Sequence, residues 1–136
     1  MKVKEIFDLA NNLLARYIPS LEAWNEGLNF FSHDTEFLQV GTWVYENGKE
    51  LKAHIHNKVN RDIGWTQELL FINEGSVLAK IFDSKGTEIQ ELKMVKGDLL
   101  ILIDGGHGYK ILEDNTKVLE VKNGPYLGPE VDRKRI

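Results

Sequence analysis

The feature that most constrains the fold is a series of short β-rich runs separated by turn residues, which begins near residue 36. Eight such runs lie at 37–45, 51–56, 66–72, 77–83, 88–94, 99–103, 107–112 and 117–122. Turn pairs such as Asn47-Gly48 and Lys96-Gly97 lie between them and supply the backbone conformations that tight reversals need. Because no helical pattern separates the runs, the sequence predicts an all-β fold, as an antiparallel barrel or jelly roll.

A different period precedes these runs. Apolar residues recur at helical spacing between residues 3 and 17, and Pro19 follows as a stop signal. The residues in question are Ile6, Leu9, Ala10, Leu13, Leu14 and Tyr17. The pattern predicts one amphipathic N-terminal α-helix, packed against the body of the domain or against a second subunit.

The length of 136 residues suits one domain with a substantial core. We expect an N-terminal helix and linker over 1–35, a barrel over 36–123 and a C-terminal strap over 124–136. The chain has no cysteine and four histidines, which excludes disulfides and thiolate metal clusters. Any bound metal would therefore need histidine, carboxylate or amide ligands.

The charge and hydropathy patterns limit the partners. The formal net charge of -4 disfavours a sequence-independent grip on nucleic acid. The longest aliphatic run, Leu99–Ile103, is far too short for a membrane span, and the charged N-terminal segment lacks the apolar stretch of a secretory signal. We expect a cytoplasmic protein that binds neither nucleic acid nor membrane.

The candidate site begins with the sequence Ala53-His54-Ile55-His56. Side chains at i and i+2 of a strand share a face, so the two imidazoles can converge on one ion. Glu68 opens an otherwise apolar run, where a carboxylate is costly to bury without a metal or a partner. His107 follows Gly105-Gly106 and starts another strand. Three histidines and a glutamate are a known type of site for a divalent transition metal.

These residues resemble the first motif of the cupin family, G(X)5HXH(X)3-4E(X)6G. Gly48 is followed by five residues and then by His54 and His56, and six residues separate Glu68 from Gly75. The departure lies between the two halves, because residues 57–67 take the place of three or four residues. A longer loop must therefore leave and return to the site.

The second cupin motif, G(X)5PXG(X)2H(X)3N, is met by Gly97, Gly105 and His107. Ile103 stands where proline is usual, one residue fewer precedes the histidine, and Ile111 stands where asparagine is expected. The resemblance covers roughly residues 40–123.

The resemblance implies a small jelly-roll β-barrel with one divalent transition metal, such as Zn, Fe, Mn or Ni, at its mouth. Carried over residue by residue, the metal ligands would be His54, His56, Glu68 and His107. Gln67 faces the opposite side of its strand, and the family spacing to Gly75 selects Glu68. Since the proposed site already has four ligands, we interpret His33 as a surface or lightly packed residue. Cupins commonly dimerise, so we also expect a homodimer.

Strand alternation suggests further site residues. Lys52 shares the face of His54, and Tyr109 shares the face of His107, so each is a candidate general acid or base, with strand-end exposure and barrel packing as the structural alternatives. Arg61, in the long insertion, is a candidate for binding a phosphate or carboxylate of a substrate, the alternative being a solvated loop.

The resulting function hypothesis is a metal-dependent enzyme that acts on a small polar molecule such as a sugar derivative, with isomerase-like or epimerase-like Lewis-acid chemistry. Two alternatives stay open. One is an oxygenase of the non-heme-iron type, and the other is a barrel that binds a small molecule without turning it over.

Overall fold

A computed structural model of the chain describes residues 2–136 and is built mostly of antiparallel β-strands, which confirms the all-β class. Within those residues there are ten strands: β1 (Lys4–Phe7), β2 (Leu13–Ile18), β3 (Gly27–Phe30), β4 (Gly41–Val44), β5 (Glu68–Glu74), β6 (Ser76–Phe82), β7 (Glu88–Val95), β8 (Leu99–Leu102), β9 (Gly106–Ile111) and β10 (Lys117–Lys122). The two helices of this stretch, α1 (Ser20–Ala23) and α2 (Pro129–Asp132), have four residues each. Neither approaches the length and hydropathy that a membrane-crossing helix requires.

The strands form three separate sheets. A five-stranded sheet has the order β1-β2-β8-β5-β10, a three-stranded sheet has the order β7-β6-β9, and β3 and β4 form a hairpin. The main core lies between the first two sheets and includes Leu70, Ile72, Ala79, Ile81 and Leu100, all of them buried. The sheets do not join into a closed barrel anywhere in residues 2–136, so the predicted barrel is found only as an open two-sheet sandwich.

A second apolar cluster covers the other face of the five-stranded sheet. Ile18, Leu99 and Ile101 project from that face and pack against Ala23 and Val40 of the segment between β2 and β4. The central strands of this sheet are therefore buried on both faces, with all four residues of β8 inaccessible. This explains why β8 is a continuous aliphatic run rather than an alternating one.

The predicted N-terminal helix is wrong, because residues 4–18 form the β1–β2 hairpin. Its turn is organised by Asp8, whose carboxylate accepts hydrogen bonds from the backbone N–H groups of Ala10 and Asn12, at 2.9 and 2.8 Å. Asn11 adopts a left-handed conformation there, with φ of 66°. The misleading period arises because β2 is buried on both faces, so its apolar residues do not alternate and happen to match a helical spacing.

The strands predicted from residue 66 onward are confirmed with small changes in their ends, but two earlier predictions are not. Only Gly41–Val44 of the run 37–45 is a strand, and the run 51–56 forms none. Residues 51–64 are exposed, and Ile55 is 93% accessible. Alternation at 51–56 reports which side chains would share a face, whereas a strand also needs a neighbour to pair with.

The turn before β9 depends on glycine. Gly105 has φ of 74°, and a Cβ atom at this position would collide with the carbonyl oxygen of Phe82. Only glycine tolerates this combination of backbone angle and close approach. The turn starts β9 so that His107 pairs with Ile81 of β6.

Candidate functional site

The candidate site lies at the open edge of the sandwich, where β9 ends one sheet and β10 ends the other. In β9, His107 and Tyr109 pair with Ile81 and Ala79, which are both fully buried. Paired residues lie on the same face of a sheet, so the side chains of His107 and Tyr109 belong to the inner face. Glu68 and Lys122 pair in the same way on the inner face of the other sheet.

Glu68, His107 and Lys122 form a compact charged cluster. Glu68 is 6% exposed. Its Oε1 lies 3.2 Å from Lys122 Nζ, and its Oε2 lies 3.0 Å from His107 Nε2. The Tyr109 ring lies beside the imidazole, with 5.4 Å between the ring centroids. The structure thus brings together Glu68, His107 and Tyr109, three of the residues singled out from the sequence.

The cluster keeps Glu68 ionised. Burial by itself would raise the pKa of Glu68, but the neighbouring His107 and Lys122 outweigh burial and lower the pKa to about 2, from an ordinary value of 4.5. Hydrogen bonding to Glu68 in turn raises the pKa of Lys122. Burial raises the pKa of Tyr109, and the carboxylates of Glu68 and Glu120 raise it further. Tyr109 therefore carries its proton at neutral pH.

One atom of this cluster lacks a hydrogen-bond partner. Glu68 Oε2 is buried and has no donor assigned to it among residues 2–136, although His107 Nε2 lies 3.0 Å away. Buried carboxylate oxygens are normally satisfied by donors or by a metal ion. A carboxylate oxygen and an imidazole nitrogen that face each other suit a divalent transition metal.

His54 and His56 form a second pair in the exposed segment before β5. Their Nε2 atoms lie 3.2 Å apart, and His54 Nδ1 lies 3.1 Å from the carbonyl oxygen of Lys52. Two imidazole nitrogens bound tetrahedrally to one zinc ion would be about 3.3 Å apart, given metal–nitrogen distances of about 2.0–2.1 Å. The spacing of this pair fits a shared ion, and the backbone contact orients His54.

The two pairs do not meet. Within residues 2–136, no group of three or more histidine, aspartate and glutamate side chains is placed to hold a metal ion. Lys52 is exposed in the same segment as His54 and His56 and does not join the Glu68 cluster. The structure therefore does not bring the four expected ligands together.

Arg61 borders a surface cavity. This cavity has a volume of about 460 Å³ and lies between the end of the 57–67 insertion and the segment after β10. Its lining includes Trp65, Thr66, Asn123 and Asp132. Residues of the segment 124–136, which contains α2, supply part of the lining.

Sequence reasoning missed Lys122. Its signal was present in the run Lys117–Lys122, where Glu120 and Lys122 interrupt an apolar strand, but only the pairing of β10 with β5 places it against Glu68. Sequence reasoning also missed a buried ion pair on the far side of the five-stranded sheet. There Arg16 donates to both carboxylate oxygens of Glu36 at 2.8 Å, and His33 lies against Glu36 and Glu5.

No protein-family model, curated protein or solved structure matches this chain. The cupin resemblance accordingly rests on the two sequence motifs alone.

Proposed function

We propose that this chain is a metal-dependent enzyme that acts on a small polar molecule such as a sugar derivative. The observation that carries the proposal is the buried Glu68 Oε2, which accepts no hydrogen bond from residues 2–136 while His107 Nε2 lies 3.0 Å away. A carboxylate kept ionised by Lys122 and paired with an imidazole at an open sheet edge has the chemistry of half a metal site.

His54 and His56 supply the other half in this proposal. The segment 51–56 would pair with the free edge of β9, which would extend the three-stranded sheet and close the jelly roll that the motifs imply. Edge strands present unpaired N–H and C=O groups that accept another strand. Residues 57–67 can span up to about 36 Å when extended, so they leave enough chain for this movement.

The reaction is assigned to the Lewis-acid class. A divalent metal at this site would polarise a carbonyl or hydroxyl pair of the substrate. Tyr109 is protonated at neutral pH and lies beside His107, so it is placed to donate a proton to a substrate oxygen. Lys52 would share the face of His54 once the segment pairs, where it serves as the second proton-transfer group.

Metal loading tests the ligand set. Untagged protein should bind close to one equivalent of Zn, Mn, Ni or Fe by elemental analysis, and His56→Ala or Glu68→Ala should lose it. His33→Ala is the matched control, because His33 lies outside the cluster and should leave loading unchanged. Wild-type protein that binds none of these metals, or equal loss in the control, would contradict the proposed site.

The reaction class has a separate test. An isomerase or epimerase that works by proton transfer, as proposed here for Tyr109 and Lys52, can exchange a carbon-bound substrate hydrogen with solvent. Incubation of metal-loaded protein with a panel of sugars in D2O should therefore show deuterium incorporation by NMR. Tyr109→Phe should slow that exchange without loss of metal. Oxygen consumption by the iron-loaded protein, with no deuterium exchange, would move the assignment to the oxygenase class.

We further propose that the chain forms a homodimer through the outer face of the β3–β4 hairpin. Leu28, Phe30 and Trp43 project from this face and are 50%, 60% and 60% exposed. They present roughly 300–400 Å² of apolar surface. This is most of the apolar part of a standard interface of about 800 Å² per partner. Neither strand carries an ionisable residue, so the face can meet a copy of itself without charge repulsion.

A further inference from the structure

Hydrogen bonds join two parts of the wall of the cavity beside Arg61, residues 65–67 and the segment after β10. The Gln67 backbone N–H donates to Asn123 Oδ1 at 2.7 Å, and Asn123 Nδ2 donates to the Trp65 carbonyl oxygen at 3.2 Å. Thr66 Oγ1 donates to Asp132 Oδ1 at 2.5 Å. The volume of about 460 Å³ lies within the usual range for small-molecule sites, about 300–1,000 Å³.

The cavity lining has two ionisable residues of opposite charge, Arg61 and Asp132. The Asp132 carboxylate accepts a hydrogen bond from the Thr66 hydroxyl, and its charge contributes to the raised pKa of Lys122. Arg61 takes part in none of the ion pairs formed within residues 2–136. Within residues 2–136 the guanidinium of Arg61 thus has no ion-pair partner and is available to an anionic ligand.

The remaining lining fits the body of a small molecule. Trp65 is 51% exposed, and Pro125 and Leu127 add apolar surface. The indole is held by a hydrogen bond from Nε1 to the Ile103 carbonyl oxygen at 2.7 Å, so the ring is fixed before a ligand arrives. A fixed aromatic face and a free guanidinium together select a compact molecule with one anionic group.

The position of the cavity connects it to the candidate metal site. Trp65 and Thr66 lie just before Glu68 in the chain, and Asn123 directly follows Lys122. Glu68 and Lys122 are register partners at the ends of β5 and β10. Lining residues of the cavity therefore lie within three residues of Glu68 and Lys122 along the chain.

We propose that this cavity binds the anionic end of the substrate, a carboxylate or phosphate carried on a sugar-sized body, with Arg61 on the anion and Trp65 against the ring. The identification of the bound molecule as the substrate rests on the proposed function, whereas anion binding does not. Arg61 is a binding residue in this proposal and takes no part in bond breaking.

Binding to metal-free protein tests the proposal. Calorimetry in EDTA and low salt would compare glucose 1-phosphate, glucuronate and inorganic phosphate with neutral glucose. At least one of the two sugar anions should bind ten or more times as tightly as glucose, and Arg61→Gln should remove that advantage. Arg133→Gln is the matched control, since Arg133 lies at the end of α2 outside the cavity lining.

A second variant guards against a folding defect at Arg61. Leu127→Trp places a bulky group in the cavity and keeps the guanidinium, and it should weaken sugar-anion binding while thermal unfolding stays at the wild-type temperature. Equal binding of the anions and glucose, or unchanged binding in Arg61→Gln, would overturn the proposal. Binding of inorganic phosphate with an affinity equal to that of both sugar anions would also overturn it, because the ring would then contribute nothing.

The two proposals fail separately. Anion binding by metal-free protein that never loads a metal would refute the metal site and leave the cavity assignment intact. Normal metal loading with no Arg61-dependent anion binding would refute the cavity assignment alone.

Discussion

Replacing Glu68 by glutamine in the metal-free protein should lower the free energy of unfolding by about 3 kcal/mol at pH 7. The variant keeps the shape of the side chain and removes its charge, which His107 and Lys122 stabilise at 3.0 and 3.2 Å. Those partners lower the pKa of Glu68 from 4.5 to about 2. At about 1.4 kcal/mol for each pKa unit, the folded state gains about 3 kcal/mol from holding this carboxylate ionised.

The stability difference between wild type and Glu68→Gln should decrease as the pH falls. Because the folded-state pKa is depressed, the contribution is fully present above the unfolded-state value near 4.5 and is lost as the pH falls toward 2. The difference between wild type and Glu68→Gln should therefore shrink to about half by pH 3. A neutral glutamic acid and a glutamine are nearly the same size, so little else distinguishes the two proteins at low pH.

Urea unfolding followed by tryptophan fluorescence, between pH 7 and pH 3 in the presence of EDTA, measures this difference. Glu74→Gln is the matched control, because Glu74 pairs with Lys96 on the surface, where both side chains are about half or more exposed. Exposed pairs contribute about 0–1 kcal/mol. The reasoning fails if Glu68→Gln costs no more than Glu74→Gln at pH 7, or if its cost is the same at pH 3.

Two further predictions concern the N-terminal hairpin and the dimer. In urea unfolding, Asn11→Gly should leave the free energy of unfolding within about 0.5 kcal/mol of wild type, and Asn11→Ala should lower it by about 1 kcal/mol, because φ is 66° at this residue. A helix at this position would reverse the order, since glycine costs about 1 kcal/mol relative to alanine in a helix. Light scattering after size-exclusion chromatography should give twice the mass of one chain for the wild type. The Phe30→Ser/Trp43→Ser double variant should have the mass of a single chain. A wild-type monomer at micromolar concentration would contradict the proposed interface.

Turn residues predicted much of the β-structure because they act locally. From residue 66 onward, each predicted run corresponds to a strand, and the turn at Gly105 has the left-handed conformation expected of it. Strand pairing is not local. The register that sets Lys122 against Glu68 joins residues from β10 and β5, and no spacing within either strand reveals it.

The N-terminal prediction failed for a related reason. Leu13, Leu14 and Tyr17 lie in a strand with apolar packing on both sides, where period-two alternation disappears. Because alternation is absent, the spacing of these apolar residues also matches the period of a helix. The decisive residues were Asp8 and Asn11, whose preference for turns interrupts the supposed helix after one strand.

For the candidate site, the sequence identified residue types but not their distances. Glu68 and His107 adjoin because β5 and β9 flank the same core, whereas His54 and His56 lie in a segment with no strand partner. Strand alternation indicates a shared face only after pairing has occurred. The distance between the His54–His56 pair and the Glu68–His107 pair is therefore determined by the tertiary structure and not by spacing along the chain.

The pairing of β2 with β8 has a consequence for synthesis of the chain. Ala15 pairs with Leu102, so an apolar strand made near the start must wait for its neighbour until most of the chain has been made. At translation rates of about 5–20 residues per second, the delay is roughly 4 to 17 seconds. During that interval the newly made segment Leu13–Ile18 can pair with β1 alone, and its other edge has no partner. Folding of the complete five-stranded sheet should be slow, because it depends on pairing between residues far apart in the chain.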